Sequence, residues 1–446
     1  MKGLNKINNV FFIGIGGIGM SAIARYFVSI GKNVAGYDKT PTDITNALLE
    51  LGVNIIFQEE VSDIPKEFLN RENTLVVYTP AIPKNHKQLV YFQNNNFEVL
   101  KRAKVLGLIT KDVTTLAVAG THGKTTTSTI LAHLLYASGE KVTAFLGGIS
   151  ENYNSNYISS GNEVVVVEAD EFDRSFLQLY PNISAITSMD ADHLDIYGTE
   201  DAIVESFNDF KELTSGTFFK INGLPIDGVS IGIEDDSTYV AKNVKIDHGG
   251  YVFDLHTPNQ VISELRFYLP GHHNLKNAIT AFVMAIEYGV QVEKLKMALP
   301  SFKGIQRRFS YQLKSENKVY VDDYAHHPTE IDALHQAVRE MYPGKKITAI
   351  FQPHLYSRTK DFAEDFGKSL SKFDEVFLLD IYPARELPIE GVTSEWLLTL
   401  IDNKNKKLVT KTSMIEEVKQ TDSHVVLTVG AGDIGAEVSS IKEALM

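Results

Sequence analysis

Residues 117–127 read AVAGTHGKTTT: an apolar run, a turn bearing two glycines, then a lysine and three threonines. Gly120 and Gly123 leave backbone N–H groups free to wrap a phosphate, and a helix starting there adds its partial positive charge. Lys124 is suited to the β- and γ-phosphates of ATP, and the Thr125 hydroxyl to a Mg²⁺ shell. The spacing G-x-x-G-K-T is two residues shorter than the usual phosphate loop. The run TTLAVA before the turn and the stripe Ile130, Leu131, Leu134 and Leu135 after it predict strand, loop and helix. That order opens an α/β domain of the ATP-binding kind.

Toward the C-terminus, two further apolar runs end in acids: EVVVVEAD (163–170) and ISAITSMDADHLD (183–195). In a parallel sheet the carboxyl ends of such strands share one edge with the phosphate loop. Glu168 and His193 are therefore the expected partners of Thr125 around Mg²⁺. Asp170, Asp173, Asp190 and Asp192 are expected to cap loops. Between Thr217 and Phe267, glycines and short β-prone runs predict an antiparallel insertion. LPGHHNLKNAITAFVMAIEYG (269–289) reads as a helix stopped by Gly289. Asn274 and Asn277 share one face of it, with Asn274 also fit to cap it.

Toward the N-terminus, residues 10–24, VFFIGIGGIGMSAIA, carry Gly14, Gly16 and Gly19 after an apolar strand, with Asp38 about twenty residues on. Taken alone, that pattern marks a dinucleotide dehydrogenase. NNVFFIGI, KNVAGYD, GVNIIF and TLVVYTPAI alternate with helical stretches, which favours a parallel sheet with right-handed crossovers. A basic stretch at 101–110 marks a boundary. A third alternating unit begins near KGIQRRFS (303–310) and ends on another glycine triplet, Gly430, Gly432 and Gly435. That triplet fits either a nucleotide loop or a tight helix-on-strand turn. The chain is thus read as three α/β domains, 1–105, 106–302 and 303–446: a Rossmann-like first, a central P-loop ATPase-like domain with a mostly parallel sheet, and a Rossmann-like third.

Bulk properties agree. A chain of 446 residues suffices for two to four domains. A net charge of −13 argues against nucleic acid or an anionic membrane as partner. The absence of cysteine excludes disulfides, thiol nucleophiles and cysteine-type zinc sites. Lys2, Lys6 and the apolar run to Ala22-Ile23-Ala24 imitate a secretory signal, yet the glycine spacing favours strand, turn and helix. No apolar run approaches the ~20 residues of a membrane span. A cytoplasmic protein, a monomer or weak homodimer, is expected.

GTHGKTTT, VVEADEFDRSF, DHLDIYG, PGHHNLKNA, QRRFS and DDYAHHPTEI fall in order along essentially the whole chain. Together they resemble the Mur ligases of peptidoglycan synthesis. GIGGIGMSAIA, DDYAHHPTE and FQPHLYSRT are most similar to the members that couple L-alanine to UDP-N-acetylmuramate. The resemblance implies ATP-driven amide formation through an acyl phosphate, and it explains the two loops. The first holds the pyrophosphate of a UDP-sugar rather than NAD, through Gly16, Gly17, Ile18, Gly19, Met20 and Ser21, with Asp38 near the nucleoside and Thr79, Pro80 and Ala81 along the sugar. The second, Gly120, Thr121, His122, Gly123, Lys124, Thr125 and Thr126, holds ATP, with Asn274, Asn277, Arg308 and Asp323; Asp322 is an alternative to Asp323. His122 is further implied at the sugar or the activated carboxyl group. Lys124, His193 and Arg308 are the implied catalytic residues, and Arg307 is expected to be solvated.

The resemblance places Tyr324, His326, His354 and Arg358 around L-alanine. Leu355, where relatives often have arginine, and Ala325, where many have glycine, depart from the pattern and leave the carboxylate contact open. His193, His326 and His354 are all candidates to deprotonate the amine. His86, His133, His248 and His424 are expected at the surface or in structural roles. The nearest alternative is a recycling ligase that attaches a whole peptide. Members adding diaminopimelate or lysine carry an extra lysine after the histidine motif, and none occurs between His193 and Lys211. A dehydrogenase has no need of Lys124 and its metal ligands; a regulatory GTPase would ignore amino acids.

Overall fold

The computed structural model describes residues 6–190, 197, 199–247, 249–384 and 386–446. Asn9–Ile13 (β1), Asn33–Tyr37 (β2), Asn54–Ile56 (β3), Thr74–Tyr78 (β4) and Glu98–Lys101 (β5) form a parallel sheet in the order β3-β2-β1-β4-β5. β1 is NVFFI, buried at every residue, as a strand covered on both faces must be. Strand order reverses between β1 and β4, and the first glycine turn follows β1 at that switch point, where open α/β sheets bind ligands. β5 ends where the stretch read as a boundary begins; its sequence EVLK is short and only half-buried, so it carries little strand signal.

Thr114–Ala119 (β6), Val142–Ser150 (β7), Ser155–Ser159 (β8), Val164–Glu168 (β9), Ile183–Ile186 (β10), Phe218–Ile221 (β11), Val229–Ile233 (β12), Tyr239–Asp247 (β13), Gly250–His256 (β14) and Val261–Phe267 (β15) form a second sheet. Its order is β15-β14-β13-β12-β11-β10-β6-β9-β7-β8. β6 is paired in parallel with β10 and β9, so the phosphate loop after β6 lies between the ends of the two acid-tipped strands. The expected antiparallel insertion is corrected in part: β10, β11, β12 and β13 pair successively in parallel. Their short, turn-separated runs mimic hairpins.

Ser310–Lys314 (β16), Val319–Asp323 (β17), Ile347–Phe351 (β18), Glu375–Leu378 (β19), Lys406–Leu408 (β20) and Val425–Val429 (β21) form a third sheet ordered β16-β17-β21-β18-β19-β20. Only β16 is antiparallel to its neighbour. The glycine triplet after β21 is filled by the chain's own side chains. Arg307 donates to the Gly430 carbonyl at 2.6 Å, and a Cβ at Gly435 would strike its guanidinium. Gln352 packs where a Cβ of Gly432 would stand. The tight-turn reading is the one observed. Arg307, expected to be solvated, is instead held by Asp322 at 3.3 Å.

By contact density the chain forms two units: Met1–Val244 with Phe253–Arg266 and Lys276–Phe302, and Lys245–Val252 with Phe267–Leu275 and Lys303–Met446. The first unit contains two sheets without a break near residue 105. The reason is packing: Tyr26 of the helix Ile18–Ser29 lies 5.6 Å from the ring of Phe145 on β7, and Asn156 of β8 donates to Ser21 Oγ at 2.8 Å. In the second unit Tyr251, 1% exposed, donates to Glu340 at 2.8 Å and accepts from the Gly271 N–H at 3.0 Å. Among the described residues no helix is long and apolar enough to cross a membrane.

Candidate functional site

The loop after β6 depends on two left-handed glycines, Gly120 (φ 128°) and Gly123 (φ 84°). At Gly123 a Cβ would stand 2.7 Å from Asn277 Oδ1, so this amide presses on the turn. Two hydroxyls after β10, missed in the sequence, brace the loop. Ser188 Oγ accepts from the His122 N–H at 2.6 Å and lies 2.9 Å from Thr121 Oγ1; the Thr187 hydroxyl donates to Ala119 O at 3.0 Å and to His122 O. The His122 imidazole, one quarter exposed, has Nε2 3.6 Å from Asp190.

Lys124 begins the helix Lys124–Ala137 and folds back over the loop. Its Nζ donates to Gly120 O at 2.6 Å and lies 2.8 Å from Glu171, whose side chain is 2% exposed. Burial alone would lower the lysine pKa, but the carboxylates of Glu171, Glu168 and Asp170 outweigh it and hold the ammonium above its ordinary value. Nothing in the stretch VVEADEF itself marks a role for Glu171. In this arrangement its carboxylate keeps a cation at the loop.

Thr125 and Glu168 meet as the sequence reading expects: Thr125 Oγ1 donates to Glu168 Oε1 at 3.1 Å. The other carboxylate oxygen accepts from the Gly147 N–H at 3.0 Å, and a Cβ at Gly147 would collide with the same group. Gly147 was overlooked, although paired glycines inside a strand signal a close approach. Thr126 is buried beside Thr125. His193 and Asp192 lie outside the described residues.

A cavity of about 270 Å³ runs from the first glycine turn to Glu168, lined by Gly17, Ile18, Gly19, Met20 and Thr79 on one side and Gly147, Glu168 and Asp170 on another. Arg102, opening the helix Arg102–Thr110, is the one cation among the described residues that line it. It reaches Asp170 at 3.2 Å and stands 2.8 Å from where a Cβ of Gly19 would be. It belongs to the basic stretch read only as a boundary. Not all residues named for the first turn line this cavity. Ser21 is fully buried, donating to Ile18 O and accepting from Asn156, so its hydroxyl is spent on packing. The Gly16 N–H is taken at 2.7 Å by Asp38, whose carboxylate thereby props the turn. Pro80 and Ala81 are exposed and do not line the cavity.

The second unit gathers Arg308, Asp323, Tyr324, His326, His354 and Arg358 near the ends of β17 and β18. Asp323 accepts from the Phe309 N–H at 2.7 Å and the Ala325 N–H at 2.8 Å. Burial pushes its carboxyl up to about 6, against those N–H groups and Arg308. Its geometry is that of a brace for the Arg308 turn. Asp322 is paired with Arg307 and Thr428 and is not available in its place. The rings of Tyr324 and His326 lie 5.4 Å apart, and those of His326 and His354 6.1 Å. Leu355 takes φ 73° before the helix Tyr356–Asp361, which carries Arg358. Asn274 donates to Pro270 O at 2.6 Å, a local cap within this unit, while Asn277 belongs to the first. Of the histidines expected in structural roles, His86 and His133 are buried, and His133 bonds Tyr153 and Ser301. His248 lies outside the described residues.

The model described as "Mur ligase family, catalytic domain" matches residues 9–114, that of the "Mur ligase middle domain" residues 118–285, and that of the "Mur ligase, glutamate ligase domain" residues 307–434. The chain is 60% identical over 444 residues, 99% of each chain, to a UDP-N-acetylmuramate–L-alanine ligase of Flavobacterium psychrophilum. It is 46% identical to that of Cytophaga hutchinsonii, over 98% of this chain and 97% of the relative. Among solved structures, the UDP-N-acetylmuramate-alanine ligase of Thermotoga maritima superposes with a TM-score of 0.83 at 28% identity, covering 98% of both. A murein peptide ligase of Psychrobacter arcticus shares the fold, with a TM-score of 0.70 at 19% identity over 98% of both chains.

Proposed function

The chain belongs to the Mur ligase family, and from that premise we propose that it joins L-alanine to the carboxylate of UDP-N-acetylmuramate, driven by ATP with Mg²⁺, in cytoplasmic peptidoglycan synthesis. The observation that carries this reading is the continuity of one cavity from Gly17–Met20 to Glu168, with the Thr125 hydroxyl bonded to that carboxylate. A UDP-sugar on the first turn then extends its acid toward the residues that handle ATP. We assign 1–105 to the UDP-substrate, 106–302 to ATP and 303–446 to the amino acid.

In the first step the sugar's carboxylate attacks the γ-phosphate, two anions approaching one another. The Lys124 ammonium and the loop N–H groups counter the charge on the phosphates. Thr125 and Glu168 present hard oxygen donors, which fit Mg²⁺; His193 is implied beside them by resemblance alone. Magnesium held there supplies further positive charge at the phosphoryl group. Arg102 is positioned to face the pyrophosphate, with Asp170 fixing its guanidinium.

A coupled phosphate-release assay tests the reading. Release is expected only when UDP-N-acetylmuramate and L-alanine are both present, and NAD(H) has no effect. Equal rates with a peptide in place of L-alanine would reassign the protein to recycling. Arg102→Met is expected to raise KM for UDP-N-acetylmuramate about tenfold, the value of one charge-assisted contact, while KM for ATP holds. An unchanged KM for the UDP-sugar removes Arg102 from the pyrophosphate site.

A further inference from the structure

L-Alanine arrives as an ammonium and must lose a proton before its nitrogen can attack. His326 carries a geometric answer. Its Nδ1 lies 2.9 Å from the Tyr324 carbonyl oxygen and 3.3 Å from Glu330 Oε2. Both atoms accept and neither donates, so Nδ1 holds the ring proton and Nε2 is left with a bare lone pair. Glu330 is itself immobilised: Oε2 takes the N–H of His326 at 2.9 Å and of His327 at 3.2 Å, closing the capping box of the helix Pro328–Met341. Nε2 makes no hydrogen bond among the described residues. By contrast, the His354 ring lies stacked on Tyr382, at 5.7 Å and 21°.

We propose that His326 Nε2 accepts the proton of the incoming α-ammonium, with the Tyr324 carbonyl and Glu330 as the lock on its tautomer. The assignment rests on reading this cluster as the amino-acid site. Nε2 takes one ammonium proton, and the freed lone pair forms the C–N bond at the acyl phosphate carbonyl. The C–O bond to phosphate breaks with its electron pair, and the surplus proton on nitrogen leaves with the phosphate or to solvent. The groups facing the imidazole are Glu330 on the helix Pro328–Met341 that follows it, Tyr324 after β17, Arg308 before β16, and His354 and Arg358 after β18. Burial first, and then the two arginines, hold its pKa below the ordinary value against Glu330, so the ring is neutral and able to accept.

The test uses full-length protein and two acceptors. Hydroxylamine is already a free base near neutral pH, so it traps an acyl phosphate as hydroxamate with no base required. His326→Gln is expected to lower kcat with L-alanine roughly 100-fold near neutral pH, while the hydroxamate rate stays near wild type. The alanine rate should recover as rising pH frees the amine in solution. An alanine rate equal to wild type overturns the proposal. So does a parallel fall of both acceptors in His326→Gln and His326→Asn without alkaline recovery, which marks a structural role. Failure of the wild-type protein to form hydroxamate overturns the acyl phosphate reading beneath it.

Discussion

Lys124→Ala is expected to cut phosphate release by at least about 1,000-fold, because the transferred phosphoryl loses its fixed countercharge in a water-poor site. Binding of UDP-N-acetylmuramate, followed by calorimetry, should change little, since the first turn belongs to a different loop. The same substitution has a cost in the fold. Glu171, 2% exposed, loses the ammonium 2.8 Å away, and an uncompensated buried charge is worth about 3 kcal/mol or more. The melting temperature should therefore drop. Adding Glu171→Gln to the variant removes the stranded charge, so the double variant should regain thermal stability and remain inactive. If stability and turnover return together, Lys124 was structural. If UDP-sugar binding is lost with the lysine, the division of labour between the two loops is wrong.

Gly147→Ala is the second large effect. The residue has an ordinary backbone conformation, so the substitution adds no φ strain. The new methyl meets the Glu168 carboxylate directly and displaces it from both the Gly147 N–H and the Thr125 hydroxyl. Misplacing a group that orients a metal ligand typically costs 10- to 100-fold in metal affinity or activity, so a fall of about 100-fold in kcat, eased by excess Mg²⁺, is expected. The check is a Mg²⁺ titration of turnover beside a thermal melt. Wild-type Mg²⁺ dependence in this variant would remove Glu168 from the metal site.

These two residues differ in how readily the sequence discloses them. Lys124 lies in a local pattern whose meaning comes from strand, turn and helix in succession, and periodicity alone reveals all three. The β6–β9–β10 arrangement follows from the same logic, and Thr125 meets Glu168 where parallel pairing puts them. Gly147 acts across 21 residues on a side chain that no local pattern connects to it. Ser188 and Thr187 brace the loop from another strand, and their hydroxyls resemble any serine or threonine at a strand end. Arg102 was visible only as positive charge; what gives it a role is its place as the single cation among the described residues lining a cavity. The parallel pairing of β11, β12 and β13 was misread because brief, glycine-broken runs signal hairpins by default. Asp38 is the converse case: its spacing was legible, but its carboxylate holds the Gly16 N–H of the turn itself.

The tip of β14 has a consequence for biosynthesis. Tyr251 is made 89 residues before Glu340, the carboxylate that receives its hydroxyl. At roughly 5–20 residues per second, the ribosome leaves this aromatic without that partner for about 4–18 s. The neighbouring strands can pair in the meantime, but the tip must await a helix not yet translated. Closure of the second unit is therefore scheduled by a helix translated 89 residues later, and any nascent polypeptide ending before residue 340 leaves Tyr251 without its carboxylate.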